Sequence, residues 1–115
     1  MSKRRDKEYL SDIVEAIERV EDYTKGLTYS NFMQDRKTQD AVVRNLEVIG
    51  EAAKGITTAL RKRRAEVPWT DMARLRDRLV HHYFGINYEI VWNVVSKELP
   101  PLRSELASLL AREFA

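Results

Sequence analysis

Apolar residues along this chain recur at the three- and four-residue offsets of helices, in several successive segments. Leu10, Ile13, Val14, Ile17 and Val20, with Asp, Glu and Arg between them, predict a helix over about residues 5–25, closed by Gly26. Thr28, Tyr29, Ser30 and Asn31 then read as a loop with capping side chains. Val42, Leu46, Ile49, Ala53, Ile56 and Leu60 form a second stripe, whose helix starts near Ser30 or near Thr38 and ends in Arg61-Lys62-Arg63-Arg64. Gly50 and Gly55 inside it either weaken the helix or admit a close helix crossing. Pro68 lacks an N–H that a first helical turn does not use, so it predicts the start of a third helix. Met72, Leu75 and Leu79 are its stripe, and Gly85 and Asn87 are its stop signals. Ile90, Val91, Val94, Val95 and Leu99 make a further stripe. Pro100-Pro101 predicts a kink or restart before Leu102, Leu106, Leu109 and Leu110.

No stretch alternates like a half-buried strand, and no repeat stands out. The expected architecture is all-α, an up-and-down bundle of four main helices plus short extra helices, as one domain over residues 1–115. A content of 43% hydrophobic and 33% charged residues fits a folded domain and is too apolar for a disordered chain. The absence of cysteine excludes a disulfide, a thiolate metal site and a cysteine nucleophile. No apolar run approaches the ~20 residues of a membrane span, and no apolar segment follows the charged start, so a membrane or secretory role is not expected and a cytoplasmic location is. The net charge of +2, with an isoelectric point near 9.0, permits a nucleic-acid partner without demanding one.

The chemistry concentrates between Met72 and Gly85, which hold both histidines of the chain together with Arg74, Arg76, Arg78, Asp77 and Tyr83. An imidazole moves protons near neutral pH, and a guanidinium holds phosphate oxygens and offsets developing charge. These groups suffice to cleave a phosphodiester without a metal. On a regular helix Arg76 and Tyr83, seven apart, share a face, and Asp77 and His81, four apart, touch, so that Asp77 orients the imidazole. Arg76 and His81 are five apart, roughly 140° around such a helix, and do not converge on it. Either the last turn departs from the helix before Gly85, or a two-fold dimer sets two such helices side by side in a composite cleft. The same residues also admit a plainer reading: a histidine capping or packing a helix end, arginines on a solvated face, and Tyr83 and Phe84 as core aromatics.

The run Arg76-Asp77-Arg78-Leu79-Val80-His81-His82-Tyr83 resembles the Arg-x4-His-x-Tyr motif of HepT-like toxins in the HEPN superfamily. Asp35 to Val42, Arg44 to Ala53, Val67-Pro68-Trp69, and Tyr83-Phe84-Gly85 with Ile90-Val91-Trp92 are similar to that family too, so the resemblance spans about residues 9–110. It implies a helical bundle that forms a homodimer, and metal-independent cleavage of RNA with no cofactor. In that reading Arg76 binds the scissile phosphate, His81 is general acid or base, and the RNA 2′-hydroxyl is the nucleophile. It further implies a partner, an MntA-like minimal nucleotidyltransferase antitoxin that transfers AMP to Tyr83. Anionic groups added beside Arg76 and His81 would compete with RNA phosphate.

Asp77 stands where many relatives carry asparagine; its carboxylate repels phosphate if it faces the cleft and raises the His81 pKa if it pairs with it. Arg44 and Glu51 lie on the second helix, and the sequence does not say whether they reach the cleft. Arg61, Lys62, Arg63 and Arg64, with Arg74 and Arg78, are candidate RNA contacts, although cations also suit a helix C-terminus. The competing reading is a catalytically inactive HEPN module that acts as the partner of a nucleotidyltransferase.

Overall fold

The computed structural model describes residues 5–81 and 85–114, with His81 described by its backbone alone. In order the elements are α1 (Asp6–Thr24), α2 (Tyr29–Met33), α3 (Arg36–Lys54), α4 (Thr58–Arg63), α5 (Trp69–Ala73) and α6 (Leu75–Leu79). Two-residue strands follow, β1 (Val80–His81) and β2 (Gly85–Ile86), then α7 (Tyr88–Asn93), a π-helical turn (Val94–Glu98) and α8 (Leu99–Glu113). The fold is all-α. Its four main layers are α1, α3, the α5–α6 pair, and the rod made of α7, the π turn and α8.

At four of the helix starts the capping side chain satisfies backbone N–H groups that the helix itself leaves unpaired. Thr28 Oγ1 accepts from Asn31 N at 3.0 Å, Asp35 Oδ1 from Thr38 N at 3.0 Å, and Thr57 Oγ1 from Leu60 N at 3.2 Å. Asn87 Oδ1 accepts from Glu89 N and Ile90 N at 3.0 and 3.2 Å. The helix after Thr24 ends as the sequence predicts, with Gly26 at φ 79°, a left-handed turn that glycine adopts without strain. The second stripe, by contrast, is divided between α3 and α4, and the stretch around Ser30 forms the separate α2, so that the long helix starts nearer Thr38 than Ser30. Asp35 caps one break, and the other falls at Gly55 and Ile56.

Leu10, Ile13, Ile17 and Val20 of α1 are buried against Val42, Leu46, Ile49 and Ala53 of α3 and Leu102, Leu106 and Leu109 of α8. Each fully buried Leu or Ile contributes roughly 1.5–3 kcal/mol relative to exposure. Asp6 at the start of α1 accepts hydrogen bonds from Thr57 N at 2.9 Å and Thr57 Oγ1 at 2.7 Å, just beyond the end of α3, which sets α1 and α3 antiparallel. Arg103 near the start of α8 pairs with Glu21 near the end of α1 at 2.7 Å, and Glu113 at the far end of α8 takes Arg63 and Arg64 of the α4 end at 3.1 and 2.7 Å. The chain therefore runs up and down, as expected.

Glycines mark two close approaches. A Cβ on Gly50 would sit 3.4 Å from the Met72 carbonyl oxygen, where α3 crosses the α5–α6 junction. A Cβ on Gly55 would overlap the ring of Tyr9. At the proline pair, where a kink or restart was expected, the chain makes a wide π turn and α8 begins. Leu99 N donates to Val94 O, five residues back, and Pro100 and Pro101 then occupy the first turn of α8, where no N–H is needed.

Candidate active site

Trp69 opens the third layer directly after Pro68, and its indole Nε1 donates to Arg64 O at 2.9 Å. Met72, Leu75 and Leu79 are buried as their spacing predicts, which leaves Arg74, Arg76 and Asp77 exposed on the other side. The layer is not one helix. It breaks at Arg74, and it ends at Leu79, six residues short of Gly85. Val80 takes an extended backbone, φ −88° and ψ 130°, and pairs with Ile86, while His81 pairs with Gly85. Leu79 O accepts from Asn87 N at 2.7 Å, and Gly85 turns the chain at φ 78°.

The helical spacing expected of this region is therefore corrected. His81 lies on extended backbone beyond the end of α6, so the four-residue helical spacing expected of Asp77 and His81 is not formed, and the expected shared face of Arg76 and Tyr83 falls on a residue outside those described. A strand turns side chains by about 180° per residue where a helix turns them by about 100°. The chain departs from the helix before Gly85, one of the two routes by which Arg76 and His81 can converge. The His81 side chain and all of Tyr83 lie outside the described residues.

Arg76 lines a cleft of about 180 Å³ together with Arg44, Glu47, Glu51 and Lys54 of α3. Arg44 and Glu51, which the sequence left unplaced, thus join the motif arginine. Glu47 and Lys54 were not singled out. Their signal was legible as the polar offsets 44, 47, 51 and 54 opposite the apolar stripe of the same helix. Lys54 Nζ lies 3.4 Å from Glu51 Oε1. Arg44 and Arg76 are both exposed, and neither has an ion-pair partner among the described residues. A guanidinium so placed can take a phosphate oxygen pair.

The other candidate cations divide. Arg78 donates to both carboxylate oxygens of Glu98 at 3.0 and 2.8 Å, and that hydrogen bonding raises its pKa above the ordinary arginine value. Arg61 donates to Ala53 O at 2.8 Å and closes the end of α3. Arg63 and Arg64 hold Glu113. Arg74 and Lys62 remain exposed. Among the described residues no three His, Asp or Glu side chains gather as metal ligands, and no helix is long and apolar enough to cross a membrane.

The chain matches the ribonuclease HepT-like family over residues 13–109, which takes in α3, the Arg76–His81 segment and the π turn. It belongs to the HepT-like family. The HepT-like relatives it resembles include a protein named “Probable ribonuclease HepT” from Thermococcus cleftensis, 44% identical over 93% of this chain and 97% of the relative. A protein from Methanocaldococcus jannaschii named “Putative RNase” is 44% identical over 96% of this chain and 91% of its own length. A third, from Caldanaerobacter subterraneus subsp. tengcongensis and also named as an RNase, is 38% identical over 91% and 94%. No solved structure matches the chain significantly.

Proposed function

We propose that this HepT-like chain is a metal-independent endoribonuclease and the toxin half of a toxin–antitoxin pair. The observation that carries the proposal is the Arg76 guanidinium, without an ion-pair partner among the described residues, open to solvent in a cleft and five residues ahead of His81, in a chain whose relatives are named as ribonucleases. Arg76 holds the scissile phosphate and offsets charge as the transition state forms. The RNA 2′-oxygen attacks phosphorus and the bond to the 5′-oxygen breaks. One proton leaves the 2′-hydroxyl and one reaches the departing oxygen, with His81 serving one of these transfers. The products are a 2′,3′-cyclic phosphate and a 5′-hydroxyl. Asp77 supports the site, and exposed Arg74 and Lys62 are the best placed further RNA contacts.

The site is completed in a homodimer, in which two Arg76–His81 segments face one strand of RNA. An MntA-like nucleotidyltransferase silences the enzyme by moving AMP from ATP to the Tyr83 hydroxyl, with pyrophosphate leaving, which places anionic phosphate beside Arg76. The deciding experiment is RNA cleavage in EDTA by wild type, Arg76→Ala and His81→Ala. Cleavage by the wild type alone, leaving cyclic phosphate ends, supports the reading. Cleavage that survives His81→Ala would falsify it, and a folded wild type that binds its partner but turns over no RNA leaves only the inactive partner module. Intact mass after co-expression with the partner tests Tyr83: no added AMP removes that step.

A further inference from the structure

We infer that Arg44 is a second phosphate-binding residue of this site, working with Arg76 across the cleft between α3 and α6. The inference rests on the ribonuclease reading above and names a group that reading does not use. Among the described residues some arginines are held and some are open; Arg5, Arg36, Arg74 and Arg112 are also exposed, and none of them lines the cleft of Arg76. Arg19, Arg63, Arg64, Arg78 and Arg103 are each ion-paired within the molecule, and Arg61 caps α3. Arg44 and Arg76 are exposed, without an ion-pair partner among the described residues, and line one cleft.

The freedom of Arg44 is not for want of acids. Asp40 and Glu47 stand four and three residues from it on α3, the offsets at which helical ion pairs form. Lys54 takes Glu51 at 3.4 Å, yet Arg44 takes neither neighbour. Rigid elements hold it in place. At Gly50 α3 crosses the Met72 and Ala73 carbonyls, and Arg44 lies six residues, about 9 Å of helix, before that crossing. Arg44 also borders a neighbouring groove of about 440 Å³ lined by Tyr9 and Asp12 of α1. A strand held at Arg76 and continuing into that groove passes over Arg44. With Lys54 and Glu51 paired, the cleft presents two guanidinium groups against the half-buried Glu47. That balance suits one or two phosphates and not a long electrostatic track.

The test measures binding of a short single-stranded RNA to the full-length His81→Ala protein by fluorescence anisotropy over a range of salt. Adding Arg44→Ala should weaken binding about tenfold and flatten the slope of log affinity against log salt by about 0.7, the release expected for one phosphate contact on a single strand. Arg44→Lys should keep the slope and lose part of the affinity. Glu47→Gln should tighten binding by removing repulsion. Arg112→Ala, an exposed arginine on α8, should change nothing. If Arg76→Ala loses affinity and slope while Arg44→Ala, with an unchanged circular dichroism spectrum, loses neither, Arg44 is not in the site. If Glu47→Gln weakens binding, the cleft reads base donors and the phosphate assignment fails. If the parent protein binds no RNA and the wild type cuts none, the ribonuclease reading itself falls, and this inference with it.

Discussion

Glu98 grips the Arg78 guanidinium with both carboxylate oxygens, at 3.0 and 2.8 Å, and so ties α6 to the π turn twenty residues further along. The segment that carries His81 begins two residues after Arg78, so this clamp fixes the root of the site. Arg78 is spent on structure, and its neighbour Arg76 is not. Glu98→Gln keeps the shape and removes the charge, and should cost about 1 kcal/mol at most, because both side chains are about a third exposed. Urea unfolding measures that loss. Arg78→Ala should leave the salt slope of RNA binding unchanged, where Arg76→Ala reduces it; an equal reduction would put Arg78 on the RNA.

Gly50 and Gly55 should respond oppositely to alanine. A methyl group at Gly55 collides with the Tyr9 ring, so Gly55→Ala forces that ring aside and should destabilise by about 1–3 kcal/mol. At Gly50 the nearest atom, Met72 O, is 3.4 Å away, an ordinary contact, and alanine is the better helix former. Gly50→Ala should be neutral or stabilising by up to about 1 kcal/mol. Thermal melts of the two variants separate these outcomes, and equal losses would contradict the difference in their surroundings.

Thr38 donates to Asp35 from its hydroxyl at 2.6 Å and from its backbone N–H at 3.0 Å, and these bonds hold the carboxyl below its ordinary value of 3.8. A depressed folded pKa means that the cap stabilises fully above the unfolded value and loses its effect as pH falls through the folded one. Wild type should therefore outmelt Asp35→Asn at neutral pH, with the gap closing below about pH 3.8. A gap that stays constant down through that range would show that charge plays no part in the cap.

The basic cluster should matter first for stability. Glu113, itself mostly buried, takes both Arg63 and Arg64. Glu113→Ala removes the partner of two guanidinium groups and should cost about 1–2 kcal/mol in urea unfolding. Arg63→Ala should leave the salt slope of RNA binding as it was, and a slope reduced by about 0.7 would place that arginine on the phosphate track.

Much of this fold was legible because its signals are local. The stripe from Leu10 to Val20, the stop at Gly26 and the opening at Pro68 each follow from periodicity or from one residue's backbone chemistry, and all three recur in the structure. The end of α6 was not legible. Nothing between Arg78 and His82 signals a stop. The helix gives way because Val80 and His81 pair with Ile86 and Gly85, a contact made by a later stretch of chain. The break at Arg74 has no sequence mark either. In the site, Arg76 was found through its motif and its place on the exposed side of α6. Its companion Arg44 could be placed only when the crossing at Gly50 brought α3 alongside, and that crossing is a property of three dimensions.

A π turn is an α-helix with one residue too many. Five residues of such a turn cover about the arc of four α-helical ones, so the surplus is absorbed where it lies. Were the same residues wound as an even α-helix, every side chain beyond would swing by about 100° relative to α7, carrying Glu98 away from Arg78 and Leu102 and Leu106 off their seats against α1. The bulge thus keeps the two ends of the rod in phase, so removing Ser96 should disturb that phase far less than inserting a residue into α8, where nothing absorbs it.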